Sequence, residues 1–251
     1  MENSDIIFGL RPVIEAIEAG RTIDKILLKK ELNGELAVRL SHLAREYMIP
    51  VQRVPGERLA KYTRKNHQGV VAFVAAVEYH RLGQLMPTLF EDGVLPFILV
   101  LDGITDVRNF GAIARTAECC GVNAIVIPER GSVGVGADAV KTSAGALLHI
   151  PVCREHSALG GVRYLKESGC KVVAVTEKSS HNYTEGDYTG PIALVMGAED
   201  TGISPEILEL ADTRAAIPMF GAIGSLNVSV AAGVMMYEVV RQRLIANLEV
   251  I

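Results

Sequence analysis

The sequence predicts an α/β protein, with a small α/β domain in front and a larger domain behind it built on a mostly parallel sheet covered by helices. Three observations predict it. Short apolar runs alternate with segments of helical period along most of the chain. From Phe97 onward the order is strand then helix, repeated, which is the pattern of parallel pairing. Polar or glycine-containing turns then follow several of the apolar runs, and α/β sheets carry their sites beyond the carboxyl ends of their strands.

Taken in order, Arg11–Ala19 is expected as a helix, with Pro12 in its first turn and Gly20 as its stop. Ile23–Leu28 is a β-rich run. Leu36, Leu40, Leu43 and Tyr47 recur at helical spacing, which makes 36–47 a helix. Val51–Val54 reads as a short strand and Glu57–Arg64 as a basic helix. Val70–Val77 is a continuous apolar strand of the kind buried on both faces. These elements make one domain, 1–78. Residues 79–95 contain Gly83, Pro87 and Gly93 and are expected as a linker, with a short helix around Gln84–Phe90. The second domain is 96–251. Its strands are expected at Phe97–Leu101, Ala124–Ile127, Val172–Val175 and Ile192–Val195, with a shorter one near Leu148–Val152. Its helices are expected near Gly111–Cys120, Ala137–Ala144, Leu159–Glu167, Pro205–Glu209 and Val228–Ala246.

The bulk numbers exclude several classes. With 251 residues, 49% of them hydrophobic, the chain can bury a real core. No apolar run reaches the roughly 18 residues of a membrane span. The first residues carry Glu2 and Asp5 and no basic stretch, so they do not read as a signal peptide. The four cysteines, at 119, 120, 153 and 170, form no CxxC pair and suit reduced thiols in a cytoplasmic protein. The six histidines lack paired metal-ligand spacing, so no metal is expected. A net charge of −4 argues against a nucleic-acid binder, but the charge is uneven. Residues 1–80 hold 12 Lys and Arg against 10 Asp and Glu, and the remainder is acidic. Arg53, Arg58, Lys61, Arg64 and Lys65, opposed only by Glu57, are either a phosphate-binding face or an ordinary solvated one.

Three segments carry the chemistry. In Leu101–Arg115 a buried strand ends at Asp102, a polar loop follows, and a helix begins near Asn109–Gly111. Asn109 suits a cap and Gly111 permits close approach of another backbone. A helix N-terminus with Arg115 a turn further in is a ready phosphate site; the same residues also serve as a capped helix with a salt-bridged arginine. In Ala193–Pro205 a second buried strand runs into a turn where Gly197 and Gly202 bracket Glu199 and Asp200, and Ser204-Pro205 opens a helix. In Ile217–Ala231 an irregular loop leads into the long last helix, with Ser225 and Asn227 as candidate caps or ligand contacts.

In this order and spacing the segments resemble the SpoU (TrmH-like) branch of the SPOUT RNA 2′-O-ribose methyltransferases. The resemblance rests on Asn109/Gly111/Arg115, on Gly197/Glu199/Gly202, and on Ile217-Pro-Met with Ser225-Leu-Asn-Val-Ser-Val-Ala231. Phe8-Gly-Leu-Arg-Pro-Val and His67-Gln-Gly-Val resemble the family's N-terminal, L30e-like substrate-binding domain, so the likeness covers essentially the whole chain. Among members it looks closest to the 23S rRNA guanosine 2′-O-methyltransferases. Asp200 departs from the pattern, since many members have glycine there.

The resemblance implies a trefoil-knotted catalytic domain that binds S-adenosyl-L-methionine through Gly197, Ile217 and Leu226, with Met219 and Met196 beside them. It implies a homodimer through the first and last helices of that domain, with RNA, 23S rRNA foremost, as the other partner and no membrane. Arg115 is implied as the central catalytic residue. A guanidinium stays protonated, so clamping the target phosphate is its easier role, with that phosphate or Glu199 accepting the proton. Asn109, Ser225 and Asn227 would orient arginine and ribose. Arg58, Lys61, Arg64 and His67 would hold RNA. Rival readings are a tRNA ribose methyltransferase and a non-catalytic RNA-binding factor. A nucleotide-binding oxidoreductase fits poorly, because Gly134-Val-Gly136 does not directly follow its strand.

Overall fold

The computed structural model describes residues 6–63 and 65–248. The chain divides into two units, one reaching to Glu78 and including Gly134–Asp138, the other formed by Tyr79–Val133 and Ala139–Ile251.

The first unit runs β1 (Ile6–Phe8), α1 (Leu10–Glu18), β2 (Ile23–Lys29), α2 (Glu35–Glu46), β3 (Val51–Val54), α3 (Gly56–Ala60) and β4 (Val70–Val74). Its four-stranded sheet has the order β1-β4-β2-β3. The two-residue period of β2 decides what covers each face. Ile26 and Leu28 point to a core shared with Val13, Ile14 and Ile17 of α1 and Leu40 of α2. Leu27 points the other way, to a smaller core with Val54, Val71 and Leu59 of α3. Gly20, at φ +79°, ends α1 as expected. β1 escapes a periodicity reading because it is only three residues long and is ordered by antiparallel pairing with β4. The basic helix expected at 57–64 is one short turn, Gly56–Ala60, because Leu59 is its only buried anchor. Gly134 and Val135, the core of the dinucleotide-like glycine pattern, belong to this unit. Val135 N–H donates to Asp24 Oδ1 at 3.3 Å, and Ala76 N–H donates to Val135 O at 2.8 Å.

The second unit contains β5 (Tyr79–His80), α4 (Leu82–Glu91), β6 (Phe97–Asp102), α5 (Val107–Cys119), β7 (Ala124–Pro128), α6 (Ala137–Thr142, whose first residues count with the first unit) and β8 (Val152–Glu155). It continues with α7 (Ala158–Glu167), β9 (Lys171–Val175), β10 (Ile192–Gly197), α8 (Pro205–Leu210), β11 (Thr213–Ala215) and α9 (Val228–Leu248). The seven strands take the order β11-β9-β10-β6-β7-β8-β5, and the paired strands run parallel. β6 and β10 are the central pair, and every residue of Phe97–Leu101 and Ile192–Met196 is buried. Helices therefore cover both faces, as an all-parallel sheet requires. The short strand expected near Leu148–Val152 lies later, at Val152–Glu155, in register with Ile125–Pro128. Ala146–Leu148 is a 3₁₀ turn started by Gly145 at φ +88°, and Leu148 points to solvent. Residues 79–95 are structured: Leu82 and Met86 of α4 join the core.

Gly111 shows why one position in α5 must lack a side chain. A Cβ there would fall 2.8 Å from the Thr142 carbonyl carbon and closer still to its side chain. Among the described residues no helix is long and apolar enough to cross a membrane, and no cluster of His, Cys, Asp and Glu could hold a metal ion.

All four cysteines are free thiols. Burial pushes Cys120 up to about 11, with Cys119 beside it adding to the shift, and pushes Cys153 up to about 12 and Cys170 to about 11. These three are expected to resist a disulfide reagent at pH 8 until the chain unfolds, since the thiolate is the reacting form. Thiol titration with and without denaturant checks this. The raised values favour the folded state fully below the unfolded thiol value of 9.0, and that advantage is lost as pH rises through about 11–12.

Candidate active site

The site forms where three loops leave the carboxyl ends of β6, β10 and β11, parallel strands of one sheet. β6 and β10 are adjacent and in register to their last residues, Asp102 opposite Gly197. The chain leaves β6 toward β7 on one side and leaves β10 toward the β9 side, so a crevice opens between the two departures.

The first loop spans 103–106. Asp106, rather than Asn109, caps α5: its Oδ1 accepts from Arg108 N–H at 2.8 Å and Asn109 N–H at 2.9 Å. The helix thus starts earlier than expected, at Val107. An aspartate cap satisfies two first-turn N–H groups and places negative charge at the positive end of the helix. Asn109 is then free to turn its side chain toward the third loop.

The second loop is a tight turn. Gly202 N–H donates to Ala198 O at 2.9 Å, with Gly202 at φ +70°. A Cβ on Gly197 would collide with the Gly202 carbonyl carbon, so glycine is the residue this fold-back admits. Ser204 occupies the cap position of α8 with Pro205 as the first helical residue, but makes no side-chain cap bond. Its N–H donates to Asp102 Oδ2 at 2.8 Å instead, which ties the second loop to the end of β6.

The third loop, 217–227, is the most exposed part of the second unit, with Phe220 97% and Ile223 79% accessible. Asn227 caps α9: its Oδ1 accepts from Ser229 N–H at 3.0 Å. Its amide nitrogen does the rest, donating to Glu199 Oε1 at 2.6 Å and to Asn109 Oδ1 at 3.0 Å. Glu199 Oε1 also accepts from Val228 N–H, at 3.3 Å, at the start of the 21-residue α9. One amide therefore joins all three loops.

Two hollows meet at Glu199. The deeper one, of about 210 Å³, is lined by Met196, Gly197, Ile217, Met219, Ser225 and Leu226, with Val175, Thr176 and Glu177 on the far side. The shallower one, of about 220 Å³, runs along Gly103–Asp106, Asn109 and Asp200. Ala198, Glu199 and Val228 line both. The structure thus brings together Asn109, Glu199, Asn227, Ser225 and the five residues anticipated around the deeper hollow. Sequence reasoning missed Thr176 and Glu177. The available signal was their position directly after the strand at 172–175.

Arg115 is not in this group. It lies six residues beyond Asn109, about 9 Å along the helix and on another face, and its side chain is exposed. It shares a solvent-facing stripe of α5 with Arg108, Ala112 and Cys119. Arg58 and Lys61 are exposed at α3, and His67 Nδ1 accepts from Gly69 N–H at 3.0 Å. Arg64 lies outside the described residues.

Comparison with known proteins defines the class. The profile of RNA 2′-O ribose methyltransferase substrate-binding domains matches residues 6–80, and that of the SpoU rRNA methylase family matches residues 96–237. A substrate-binding domain ahead of a methylase domain is the architecture of an RNA ribose methyltransferase. The chain belongs to the SpoU rRNA methylase family. It is 37% identical over 242 residues, 96% of this chain and 97% of the other, to YacO of Bacillus subtilis, a protein named for the TrmH family of tRNA/rRNA methyltransferases. The AdoMet-bound rRNA methyltransferase of Sinorhizobium meliloti superposes with a TM-score of 0.59 at 26% identity, over 94% of this chain and 87% of that one. The A. aeolicus TrmH/SpoU tRNA modifying enzyme superposes with a TM-score of 0.54 at 30% identity, over 66% of this chain and 86% of that one.

Replacing Asn227 by Ala is expected to lower unfolding stability by about 1–2 kcal/mol, the usual cost of losing a cap. Urea unfolding of the variant against the parent protein measures it.

Proposed function

We propose that the protein transfers a methyl group from S-adenosyl-L-methionine to a ribose 2′-hydroxyl, on a guanosine of 23S rRNA, in the cytoplasm. The observation that carries this is the carboxylate of Glu199 set between two hollows and fixed there by Asn227.

The deeper hollow fits the cofactor. Met196, Ile217, Met219 and Leu226 give apolar surface for a flat base, Gly197 admits the fold-back of Gly202 that shapes this wall of the hollow, and Thr176 and Glu177 give polar partners for hydroxyl or amine groups. When bound there, the cofactor supplies an electrophilic methyl group on a sulfonium. The shallower hollow then receives the target ribose. Asn109 and Asn227 hold Glu199 in place, and Glu199 Oε2, which has no partner among the described residues, accepts the hydroxyl proton or orients the hydroxyl for attack. Much of the rate comes from alignment, for which good positioning supplies roughly 7–11 kcal/mol. A trefoil knot, in which the C-terminal segment threads through a loop and the knotted loops form the cofactor site, is part of this reading.

A homodimer completes it. α9 exposes Val230, Tyr237 and Leu244 at seven-residue spacing, an apolar stripe suited to a second copy, and Arg115 lies exposed on α5, which packs against α9. Pairing of these helices would let Arg115 of one copy clamp a phosphate beside the Glu199 of the other. Arg58, Lys61, Arg64 and His67 hold RNA in the first unit.

Ribosomal RNA is favoured over tRNA by coverage. The Sinorhizobium meliloti rRNA enzyme matches nearly the whole chain, whereas the A. aeolicus tRNA modifying enzyme spans only 66% of it. The deciding experiment is methyl transfer from labelled cofactor to separate pools of unmodified 23S rRNA and tRNA, with the product nucleoside identified. Label on 2′-O-methylguanosine in 23S rRNA is expected; label in tRNA alone overturns the substrate.

Glu199→Gln is expected to cut turnover by about 10²–10⁴ while cofactor affinity by calorimetry changes far less. A matching fall in affinity would make Glu199 a cofactor ligand only. Mixing Arg115→Ala with Glu199→Gln protein is expected to restore about a quarter of parent activity, because half the dimers are mixed and each has one intact site. No recovery would place Arg115 with its own chain's site.

A further inference from the structure

One face of the sheet in the first unit is only half covered. The face opposite α1 and α2 carries Lys25, Leu27 and Lys29 from β2, Val71 and Phe73 from β4, and Ile6 and Phe8 from β1, by the two-residue period and the strand register. α3 seals part of it with the fully buried Leu59. Toward the β1 edge the cover is aromatic and cationic. Tyr62 meets Phe73 edge to face, with ring centres 5.0 Å apart and planes at 88°. Lys25 Nζ sits 4.9 Å from the centre of the Phe73 ring, and Lys65 Nζ sits 5.9 Å from that of Phe8. Tyr62 is the most open of these rings, 40% exposed, while Phe8 and Phe73 are half-buried. Lys61 is its exposed chain neighbour.

Tyr62 is thus part-open, with Lys25 on the Phe73 ring that backs it and with Lys61 and Lys65 near it in sequence. The arrangement suits a single-stranded nucleic acid: every base has a flat face to stack on an aromatic ring, and the flanking phosphates meet the ammonium groups. Paired bases in a helix have no face to offer.

We propose that Tyr62, backed by Phe73 with Lys25 on that same ring and next in sequence to Lys61, is a stacking platform for one unpaired base of the RNA substrate. It rests on the reading of the chain as an RNA methyltransferase and adds what that reading leaves open, namely that the substrate is gripped at an unpaired nucleotide away from the methylated ribose. Tyr62 does no chemistry; it positions the RNA.

The test uses the full-length protein and a short single-stranded RNA carrying 2-aminopurine, whose fluorescence is quenched on stacking. The parent protein and Tyr62→Phe are expected to quench it with similar Kd. Tyr62→Leu is expected to lose the quench and to bind about tenfold more weakly, as the loss of one stacked base predicts. Lys25→Gln is expected to weaken binding and to reduce the salt dependence by about one phosphate contact. Thermal melts of each variant report whether the fold persists. A measurement without variants guards against a misfolded Tyr62→Leu: RNA carrying 5-bromouridine, irradiated on the parent protein, should crosslink at Tyr62. Crosslinks confined to other residues, or unchanged quench and Kd in Tyr62→Leu, overturn the platform. So does a blunt-ended, fully paired duplex competing as well as the single strand. Methyl transfer by the same preparations separates the two ideas. Stacking at Tyr62 without methyl transfer removes the enzyme reading and keeps the platform; methyl transfer with unchanged Kd and KM in Tyr62→Leu does the reverse.

Discussion

The second unit depends on the side-chain amide of Asn227. Its nitrogen has two hydrogens and spends one on Glu199 and the other on Asn109. Its oxygen caps α9. With both ends committed, the amide cannot flip without losing bonds on each side. It therefore fixes the Glu199 rotamer, the start of α9 and the first turn of α5 relative to one another. Three segments separated by up to 118 residues in sequence meet through a single functional group.

That meeting is possible because the strands beneath it are parallel. Parallel neighbours end on the same side, so the loops after β6, β9, β10 and β11 emerge together. Glycine lets them come close: Gly197 has no room for a Cβ under Gly202, and a Cβ on Gly103 would lie 3.3 Å from that of Ala198. The Ser204 N–H to Asp102 bond then holds the second loop against β6. The site is thus assembled from strand ends, and its most exposed part, the 217–227 loop, is pinned at its last residue.

The two units solve burial differently. The larger has helices on both faces of an all-parallel sheet and a core that runs through the centre. The smaller has two long helices on one face and only a five-residue helix on the other. What the second face lacks in apolar cover is supplied by aromatic rings under lysine side chains, whose long stems can pack while their charges stay in water.

Much of this was legible in the sequence, for a physical reason in each case. Buried parallel strands must be apolar on both faces, so Phe97–Leu101 and Ile192–Val195 announce themselves, and the antiparallel Val70–Val74, buried at its first three residues, does so for the same reason. Helix stops such as Gly20 and starts such as Ser204-Pro205 are local backbone chemistry, readable from a few neighbours. Of the short edge strands, β3 was legible at Val51–Val54, but β1, β5 and β11, of two or three residues each, were not, because they exist only through pairing with strands far away in the chain. Nor was the cap of α5: Asp106 and Asn109 are both good caps, and what separates them is that Asn109 has a better partner in Asn227, 118 residues on. Thr176 and Glu177 join the pocket because β9 lies beside β10, a matter of sheet order. Arg115 sits in the same short motif as Asn109, yet helical geometry turns it away from Glu199. The sequence by itself determined which residues could cap, stack, hydrogen-bond or be buried, since those are properties of single side chains and their near neighbours. Only the tertiary structure decided which of them meet, because meeting depends on strand order and close backbone approach, and neither is written in any local stretch of chain.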